Sequence, residues 1–428
     1  MSCIRNGRAL AENALRADAL TIAEAGYAAI DTASAFTRAV CIENDTLVVR
    51  GMRYPLDGRK IFFVGVGKCA VAAAEAAEKT LGAHLTGGIA LDVHNTADGR
   101  LSKIEVAVGT HPKPSEQNVA AAKRVVTLLE QQGADTLVLA LISGGGSSLL
   151  CFHDTAMTCV DEGMLFDALT DKGATIQELN TVRKHISYAR GGGLAKAAYP
   201  AEVVSLIVSD VPGNNIEYVA SGPTVKDTST VADAEAVLKR YGVSLPPGGM
   251  LETPKDEKYF ARVTNMLFLA NRSALDAMAA EAARLGYSPQ IVTDTMHGEA
   301  RGVGKEAAAA LHAAAAKTVL LYGGETTVTL PPAHGAGGRC QELALAALPH
   351  IRENELVLSF ASDGHDASPH AGAIADAVTR AHAVEKHASS EDALAAHASY
   401  DFFKATGDGL DTGLLESNVS DLLIALKK

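Results

Sequence analysis

The stretch Ile61-Phe-Phe-Val-Gly-Val-Gly-Lys-Cys-Ala70 joins a short apolar run to a glycine turn and then directly to a helical pattern, Ala70–Leu81. The apolar run carries no charge, as expected of a strand that is buried on both faces. The same order recurs along the first half of the chain, where β-branched runs alternate with helical patterns such as Glu116–Gln131. This alternation predicts a parallel sheet covered by helices on both faces.

Further runs extend this reading to the whole chain. The strands predicted for the first sheet are Ile61–Val66, Ile89–Val93, Ile104–Val108, Thr136–Ile142 and Val203–Val208. A second series comprises Met266–Ala270, Pro289–Val292, Thr318–Tyr322, Thr326–Leu330, Leu356–Ala361 and Val419–Ala425. Two runs of the second series flank Gly323-Gly324, which predicts a tight antiparallel pair and therefore a mixed sheet.

The domain organisation follows from these patterns. An Ala-rich amphipathic pattern predicts one helix over residues 8–35, and the prolines and glycines of Leu245–Lys258 predict a linker. We therefore expect an α/β protein with two domains. Residues 1–245 form an N-terminal Rossmann-like domain with a parallel sheet flanked by helices, and residues 246–428 form a C-terminal α/β domain with a mixed sheet.

Composition narrows the classes of partner. Acidic residues outnumber basic ones by 50 to 38 in 428 residues, which argues against nucleic acid or an anionic membrane as a partner. Neither a basic-then-apolar leader nor a membrane-length apolar stretch stands out, so we expect a cytoplasmic protein. The six cysteines form no CxxC pair and are expected to be buried. The histidines at 111, 185, 334, 365 and 370 lack ligand spacing, which predicts no zinc site.

The turn Gly65-Val-Gly-Lys68 follows a strand and opens a helix, a position that favours an anion. It can be interpreted as a GxGxxA dinucleotide fingerprint in which Asp92 binds a ribose. It is not a P-loop, because Cys69 stands where such a loop has Ser or Thr. The unusual feature is the cation of Lys68 within the turn. The alternative is an ordinary strand–helix turn with an exposed lysine.

A second glycine segment follows the strand Thr136–Ile142. Gly144, Gly145 and Gly146 free the backbone amides to surround an anion, and Ser147 and Ser148 add hydroxyl donors. In a parallel sheet this loop lies at the carboxyl end of a strand, where ligands bind. A flexible loop without a ligand is the alternative.

Charged residues mark three further segments. Asp210 follows the strand Val203–Val208 and is a candidate Mg²⁺ ligand or general base, or else an Asp that starts a turn. Arg183 and Arg190 are predicted to share a helix face, which is most simply a solvated basic face. Arg339 opens a helix after glycines and suits an anionic group. Asp363 and Asp366 can hold a metal or ribose, or form turns.

Nine motifs together resemble those of the class II glycerate 2-kinase family, also called the MOFRL family. They run from the strand of Lys68 almost to the C-terminus and occur in the order GVGKCA (65–70), GTHPKP (109–114), LISGGGSSL (141–149), NTVRKHIS (180–187), SLIVSDVPGN (205–214), SGPTV (221–225), YGGETTV (322–328), GGRCQELAL (337–345) and SNVSDLL (417–423).

The resemblance implies a kinase that transfers phosphate from ATP, with Mg²⁺, to the 2-hydroxyl of D-glycerate in a cleft between two domains. It makes Lys68 and Arg339 the principal charged active-site residues, and the turn at Asp210 would line the same cleft. With the role read above from its position, we expect Asp210 to be the third catalytic residue and the metal ligand. The loop of Gly144, Gly145, Gly146, Ser147 and Ser148 would bind the nucleotide, and so would Asn271, Glu325 and Asp363.

Several choices stay open at the level of sequence. The chain departs from the family pattern at Cys340, where the family usually has Asn, and around His370 and Glu416. A kinase for erythronate or threonate is one alternative, and an NAD(P)-dependent hydroxypyruvate reductase is another. A non-catalytic ligand-binding protein is a third. The sequence does not determine the assembly, for which a homodimer is one option.

Overall fold

The computed structural model describes residues 2–153, 156–244 and 247–428. The chain divides into two compact units. The first, which we call the parallel-sheet unit, comprises Thr32–Asp210 and Asn214–Phe268. The second, the mixed-sheet unit, comprises Met1–Asp31, Val211–Gly213 and Leu269–Lys428.

The strands of the parallel-sheet unit are short and mostly buried. They are β1 (Val40–Ile42), β2 (Thr46–Val49), β3 (Met52–Pro55), β4 (Lys60–Val66), β5 (Leu85–Asp92), β6 (Ile104–Val108), β7 (Thr136–Ile142), β8 (Glu202–Val208) and β9 (Val263–Leu269). The main sheet has the order β6-β5-β4-β7-β8-β9, and its pairs from β6 to β8 are parallel. The predicted parallel sheet is thereby confirmed. The first three strands form a small antiparallel sheet.

Helices connect these strands. Those of the parallel-sheet unit are α3 (Thr32–Ala39), α4 (Ala70–Leu81), α5 (Glu116–Glu130), α6 (Gly146–Leu149), α7 (Cys159–Asp171), α8 (Ile176–Lys184), α9 (Gly193–Ala198) and α10 (Val231–Tyr241). The predicted helix over 70–81 is confirmed, and the one over 116–131 ends one residue earlier.

The mixed-sheet unit has a second six-stranded sheet. Its strands are β10 (Ser288–Met296), β11 (Thr318–Gly324), β12 (Glu355–Ala361), β13 (Gly372–Asp376), β14 (Gly409–Leu410) and β15 (Asp421–Lys427). Its helices are α1 (Gly7–Leu10), α2 (Ala14–Ile30), α11 (Asn271–Arg284), α12 (Ala300–Ala313), α13 (Arg339–Ala347), α14 (Ala377–Glu385), α15 (Ser390–Ala395) and α16 (Ser399–Thr406). The order is β10-β11-β15-β12-β13-β14.

The second sheet is mixed, as predicted, but for a different reason. The final strand β15 lies between β11 and β12 and is antiparallel to both. The expected hairpin at Gly323-Gly324 is wrong, because β11 continues through both glycines, and 326–330 forms only an isolated bridge at Thr327. Gly324 has φ +144°, and a Cβ there would lie 2.3 Å from the backbone of Met296. The glycines therefore permit close strand approach rather than a turn.

The N-terminal segment differs from its prediction in two ways. Residues 8–35 form three helices rather than one, since the Asn13 side chain accepts a hydrogen bond from the Arg16 amide and starts α2. Helix α2 also belongs to the mixed-sheet unit. The fully buried Arg16 lies 2.7 Å from Asp376 and 2.8 Å from Asp408, and the Tyr27 ring packs at a tilt against Phe360 with ring centroids 5.0 Å apart.

The observed division therefore does not follow the expected boundary between residues 245 and 246. Leu245 and Pro246, where the boundary and the predicted linker begin, lie outside the described residues. The run Met266–Ala270 was assigned to the C-terminal sheet, yet β9 is an edge strand of the first sheet, next to β8. Within the residues that the structure describes, no helix has the length and apolarity needed to span a bilayer.

Candidate functional site

The ends of β4 and β7 form the centre of a polar edge on the parallel sheet. The two strands are neighbours, and their last residues, Val66 and Ile142, pair in register. The Ser143 amide donates to the Val66 carbonyl over 2.8 Å, and the Lys68 amide donates to the Gly144 carbonyl over 3.0 Å. The two glycine-containing turns predicted from sequence are therefore directly bonded to each other.

Glycine is required at this contact. Gly67 has φ +114°, and a Cβ there would lie 2.2 Å from the Ser143 hydroxyl oxygen. Gly145 has φ +82°, and its Cβ would lie 3.3 Å from Cγ of Lys68 and 3.4 Å from Cδ2 of His111. The half-buried Lys68 thus runs alongside the second glycine loop, with the His111 ring next to it.

The serines of this loop bond to protein partners. Ser147 shares a 2.9 Å hydrogen bond with Ser221, whose hydroxyl donates to Asn180 over 2.8 Å. Ser148 donates to the Pro112 carbonyl over 2.6 Å. The motifs at 109–114, 180–187 and 221–225 therefore support the loop that sequence reasoning singled out. His111, Asn180 and Ser221 were not predicted individually, although their motifs were.

Asp210 lies at the same edge of the sheet. It follows β8, which pairs with β7 up to Ile207 opposite Ile142. Its side chain is half-buried, and Ser209 before it is buried. Among the described residues, the clusters of three potential protein metal ligands do not include Asp210. Mg²⁺ commonly uses one or two carboxylates together with water and phosphate oxygens, so a single carboxylate fits such an ion.

Asp92 does not have the ribose-binding role that the dinucleotide interpretation gave it. One oxygen of its buried carboxylate accepts from the Val71 amide over 3.0 Å, and the other accepts from the Val93 amide over 2.6 Å. Asp92 therefore caps the first turn of α4, and both of its oxygens already have partners. This use of the carboxylate removes the feature on which the dinucleotide interpretation depended.

The basic residues after position 180 are not a solvated face. Helix α8 ends at Lys184, so Arg190 does not share a helix face with Arg183. Lys184 is buried 3.1 Å from Asp227, and Arg190 is buried 2.8 Å from Glu162. The Arg183 guanidinium lies over the Phe166 ring, and burial together with Arg190 lowers its pKa to about 10.

A second polar edge occurs on the mixed sheet, around Arg339. Because β15 runs antiparallel between β11 and β12, Asp421 pairs with both Gly324 and Ala361. Arg339, the first residue of α13, donates through Nε and Nη2 to the two oxygens of Asp421, the latter over 3.2 Å. Its Nη1 pairs with Glu325. Sequence reasoning missed Asp421, although a carboxylate that opens an apolar strand was a detectable signal.

The charges at this edge are strongly coupled. Burial raises the pKa of Asp421 to about 7, with help from Asp366 and Glu325 and against the opposing effect of Arg339. Burial opposes the charged form of Arg339, but Asp421 and Glu325 outweigh it and raise the guanidinium pKa. Arg339 therefore stays charged, whereas Asp421 can change its charge near neutral pH.

The two aspartates after β12 accept hydrogen bonds from backbone amides. Asp366 is buried and accepts from the amides of Cys340 and Gln341 over 3.0 and 2.8 Å, which caps α13. Asp363 is half-buried and accepts from the His365 amide over 3.1 Å, as in an Asp turn. Cys340 is only 1% exposed, which agrees with the interpretation that this departure faces the packing side of the helix.

Asn271 lies next to the end of β11. It opens α11 and is 5% exposed, and its side-chain nitrogen, Nδ2, donates to the Asp294 carbonyl over 2.7 Å. A Cβ on Gly323 would lie 3.0 Å from this amide nitrogen. The side-chain oxygen of Asn271, Oδ1, has no hydrogen-bond partner among the described residues. Such a buried acceptor is costly unless a ligand or water donates to it.

The predicted site residues thus fall into two sets in different units. Lys68, the loop from Gly144 to Ser148 and Asp210 belong to the parallel-sheet unit. The mixed-sheet unit contains Asn271, Glu325, Arg339 and Asp363. Each set gathers at one end of its own sheet.

Comparisons with known proteins find relatives and solved structures that cover most of the chain. The model of a domain of unknown function, DUF4147, matches residues 18–250, and the MOFRL family model matches residues 318–421. A glycerate 2-kinase of Pyrococcus horikoshii is 36% identical over 420 residues, covering 93% of this chain and 94% of the relative. A relative from Agrobacterium vitis with the provisional name hydroxypyruvate reductase is 38% identical over 376 residues, covering 84% and 85%. The crystal structure of a Thermotoga maritima glycerate kinase matches with a TM-score of 0.83 at 29% identity, covering 96% of this chain and 99% of that one.

Proposed function

The chain belongs to the class II glycerate 2-kinase family, also called the MOFRL family, and on that premise we propose that it phosphorylates D-glycerate with ATP. The 2-hydroxyl oxygen forms the new bond to the γ-phosphorus, and the bond from that phosphorus to ADP breaks. The products are 2-phospho-D-glycerate and ADP. We also propose that the enzyme is cytoplasmic.

The observation that carries this proposal is the contact between the Lys68 turn and the Gly144–Ser148 loop. The 3.0 Å bond from the Lys68 amide to the Gly144 carbonyl fixes the lysine beside glycine backbone. Lysine ammonium groups and free backbone amides stabilise the charge on a phosphoryl group that is being transferred. In a chain with a formal charge of −12, such a local arrangement supports a polyanionic ligand.

Asp210 is proposed to act on the reacting hydroxyl. Its carboxylate follows β8 at the edge that also carries Lys68, which suits a group that accepts the hydroxyl proton or holds a divalent ion. Bound Mg²⁺ supplies neutralisation of negative charge on phosphate oxygens. Both ATP and Mg²⁺ are part of the proposal.

Arg339 is proposed to bind an anionic group of glycerate or of the nucleotide. Its Nε side is held by Asp421, and its Nη1 pairs with Glu325, which is more exposed than Asp421. An anion that approaches Nη1 must displace Glu325. We assign Glu325, Asp363 and Asn271 to the nucleotide, and the unpartnered buried oxygen of Asn271 supports a donor from a ligand.

A panel of acids tests the proposed function. Purified enzyme is incubated with ATP, Mg²⁺ and either D-glycerate, erythronate or threonate, and ADP release is measured. Phosphorus NMR of the product then locates the new phosphate. We expect the highest kcat/KM with D-glycerate and phosphate on carbon 2. A higher kcat/KM with erythronate or threonate would show that a four-carbon acid, and not D-glycerate, is the preferred substrate. NADH or NADPH oxidation with hydroxypyruvate, without ADP release, would overturn the kinase.

The role of Asp210 is tested by Asp210→Asn, which keeps the size of the side chain and removes its charge. We expect kcat to fall by about a hundredfold or more with a smaller change in the KM for glycerate, because the lost interaction acts in the transition state. Thermal melting of the variant serves as the control for folding. An unchanged kcat, or a variant that unfolds at saturating Mg²⁺, would contradict the catalytic role.

A further inference from the structure

Cys151, His153 and Glu162 form a buried cluster that the proposed kinase reaction does not use. Their exposures are 0%, 7% and 2%. The Cys151 sulfur lies 3.4 Å from Nε2 of His153, and the same nitrogen bonds to Oε2 of Glu162. All three ligand atoms lie within 4.8 Å of one another. The cluster therefore brings together a thiol, an imidazole and a carboxylate, each of which can coordinate a metal.

The surrounding structure holds these side chains in place. The outer oxygen of Glu162 accepts from Nη2 of the buried Arg190 over 2.8 Å. The Cys-x-His segment is bonded on both sides, since Ser187 donates to the Leu150 carbonyl over 2.7 Å and the Tyr188 amide donates to the Phe152 carbonyl over 2.8 Å. Outer partners of this kind orient metal ligands and are a regular part of metal sites.

We propose that Cys151, His153 and Glu162 bind one divalent ion of the zinc class. In a tetrahedral zinc site, metal–ligand distances of about 2.3 Å to sulfur and about 2.0 Å to nitrogen place those two atoms about 3.5 Å apart. The observed 3.4 Å agrees with this separation. The shorter His153–Glu162 contact must open to a similar distance when the ion enters. Water occupies the fourth position.

The choice of ion follows from the ligand chemistry. A thiolate favours zinc-like ions over Mg²⁺ and Ca²⁺, which prefer oxygen ligands. Burial and the charge of Glu162 raise the pKa of the Cys151 thiol, so the free site holds a protonated thiol. When the ion binds, the S–H bond of Cys151 breaks, the sulfur–metal bond forms and that proton leaves to solvent. The proton that Nε2 of His153 donates to Glu162 moves to Nδ1 of the same ring, which frees Nε2 to bind the ion. Thiolate and carboxylate then bring two negative charges to the ion, and Arg190 stays paired with the outer oxygen of Glu162.

A second cluster, of Glu12, His382 and Asp408, is a weaker candidate for a metal site. Glu12 is exposed, and the cluster has no thiol. The buried Arg16 lies 2.8 Å from Asp408, so its guanidinium already pairs with a carboxylate that a metal ion would need. Arg190 differs, because it contacts the outer oxygen of Glu162 and leaves Oε2 directed at His153. The sequence predicts no zinc site because Cys151, His153 and Glu162 match no standard ligand spacing.

Cobalt substitution tests the site on the full-length protein. Chelator-treated enzyme is titrated with Co²⁺, and thiolate-to-cobalt charge-transfer absorption in the near ultraviolet is measured. We expect one Co²⁺ per chain, displacement by Zn²⁺, one proton released per ion from the thiol, and a higher Tm with Zn²⁺. Cys151→Ser should abolish the absorption and weaken Zn²⁺ binding by more than about tenfold, since even outer-partner losses commonly cost about 10- to 100-fold.

Matched variants make the result decisive. Cys159→Ser removes another buried thiol, which lies 3.1 Å from Glu116, and should leave the cobalt spectrum unchanged. His153→Gln should weaken Zn²⁺ binding without removing the thiol, which covers the case of a Cys151→Ser variant that does not fold. The proposal is overturned if the wild-type enzyme shows no charge-transfer absorption and no Zn²⁺-dependent Tm shift, or if Cys151→Ser keeps both. Kinase activity does not enter this test, so its outcome is independent of the proposed function.

Discussion

At the residue scale, Lys68 is positioned by the glycines around it. Gly67 adopts φ +114° directly before it, and Gly145 leaves room for its aliphatic stem. The bond from its own amide to the Gly144 carbonyl joins it to the neighbouring loop. A cation that is fixed in this way needs little reorganisation when a phosphoryl group arrives, which is the condition under which charges contribute most to rate.

We therefore expect Lys68→Ala to lower kcat/KM by about a hundredfold or more while the fold survives. Steady-state kinetics with glycerate and ATP measure the loss, and circular dichroism checks the fold. Lys79→Ala, which removes an exposed lysine from the last turn of α4, should keep wild-type activity. A kcat of Lys68→Ala near the wild-type value would contradict the assignment.

A second residue-scale prediction concerns Asp421, which accepts two hydrogen bonds from the Arg339 guanidinium. Its folded pKa of about 7 lies above the value of about 3.9 in an unfolded chain. As pH falls through 7, Asp421 gains a proton and holds Arg339 less firmly, so kcat/KM should decrease. Because the folded state binds this proton more tightly than the unfolded chain, the contribution of Asp421 to the free energy of unfolding should decrease as the pH rises from about 4 to about 7.

Asp421→Asn should lower activity and remove this acidic limb from the pH profile of kcat/KM. The profile measured from about pH 5 to pH 9 distinguishes the variant from wild type. Asp401→Asn, which changes an exposed aspartate on α16, should retain the limb. If Asp421→Asn shows a wild-type profile, Asp421 does not control Arg339.

At the element scale, the ends of strands rather than their lengths create the candidate site. Strands β4 and β7 end in register, and the turns that follow them bond to each other. On the mixed sheet, α13 starts where Asp366 caps its amides, and Gly338 allows this because a Cβ there would lie 2.1 Å from the Asp366 carbonyl oxygen. Functional side chains thus stand where elements begin or end.

The contact between the two turns predicts a large effect for Gly67→Ala. The new Cβ would lie 2.2 Å from the Ser143 hydroxyl in a conformation that disfavours alanine, so we expect a loss of roughly 2 to 5 kcal/mol in unfolding free energy. Urea denaturation measures it. Gly163→Ala in α7 is the matched control, because its Cβ meets open space and should be neutral or stabilising. Equal stability of the two variants would contradict the close-contact argument.

At the scale of the whole molecule, chain order does not match the compact units. Helix α2 belongs to the unit of the last 160 residues, since Leu269–Lys428 and Met1–Asp31 cluster together. Arg16 pairs there with Asp376 and Asp408, which are both buried. The mixed-sheet unit is therefore incomplete without the first residues of the chain.

Deletion of residues 1–31 should destabilise the mixed-sheet unit selectively, because it leaves Asp376 and Asp408 buried without their cation. We expect faster hydrogen exchange in β12 and β13, with protection retained in β4 and β7. Arg16→Ala should reproduce part of the effect, at about 3 to 5 kcal/mol. Arg38→Ala, which changes an exposed arginine on α3, is the control. Unchanged exchange in β12 and β13 after the deletion would contradict this role of α2.

Local features of the protein could be predicted from its amino-acid order. Apolar runs predicted β4, β7, β8 and β12 to within one residue at either end, because a buried strand needs an uninterrupted apolar segment. Glycines next to Lys68 and after Ile142 predicted the turns at the candidate site, because close backbone approach requires glycine there. Family resemblance joined these local signals into one function.

Tertiary structure alone decided the pairings between distant residues. Asp421 meets Arg339 because β15 lies between β11 and β12, and no local pattern shows which strands will be neighbours. The same reason explains the misassigned hairpin at Gly323-Gly324 and the place of α2. Arg190 and Lys184 look like surface charges in sequence, yet Glu162 and Asp227 neutralise them in the interior. Charge and periodicity are local properties of a sequence, whereas a partner is chosen by the whole fold.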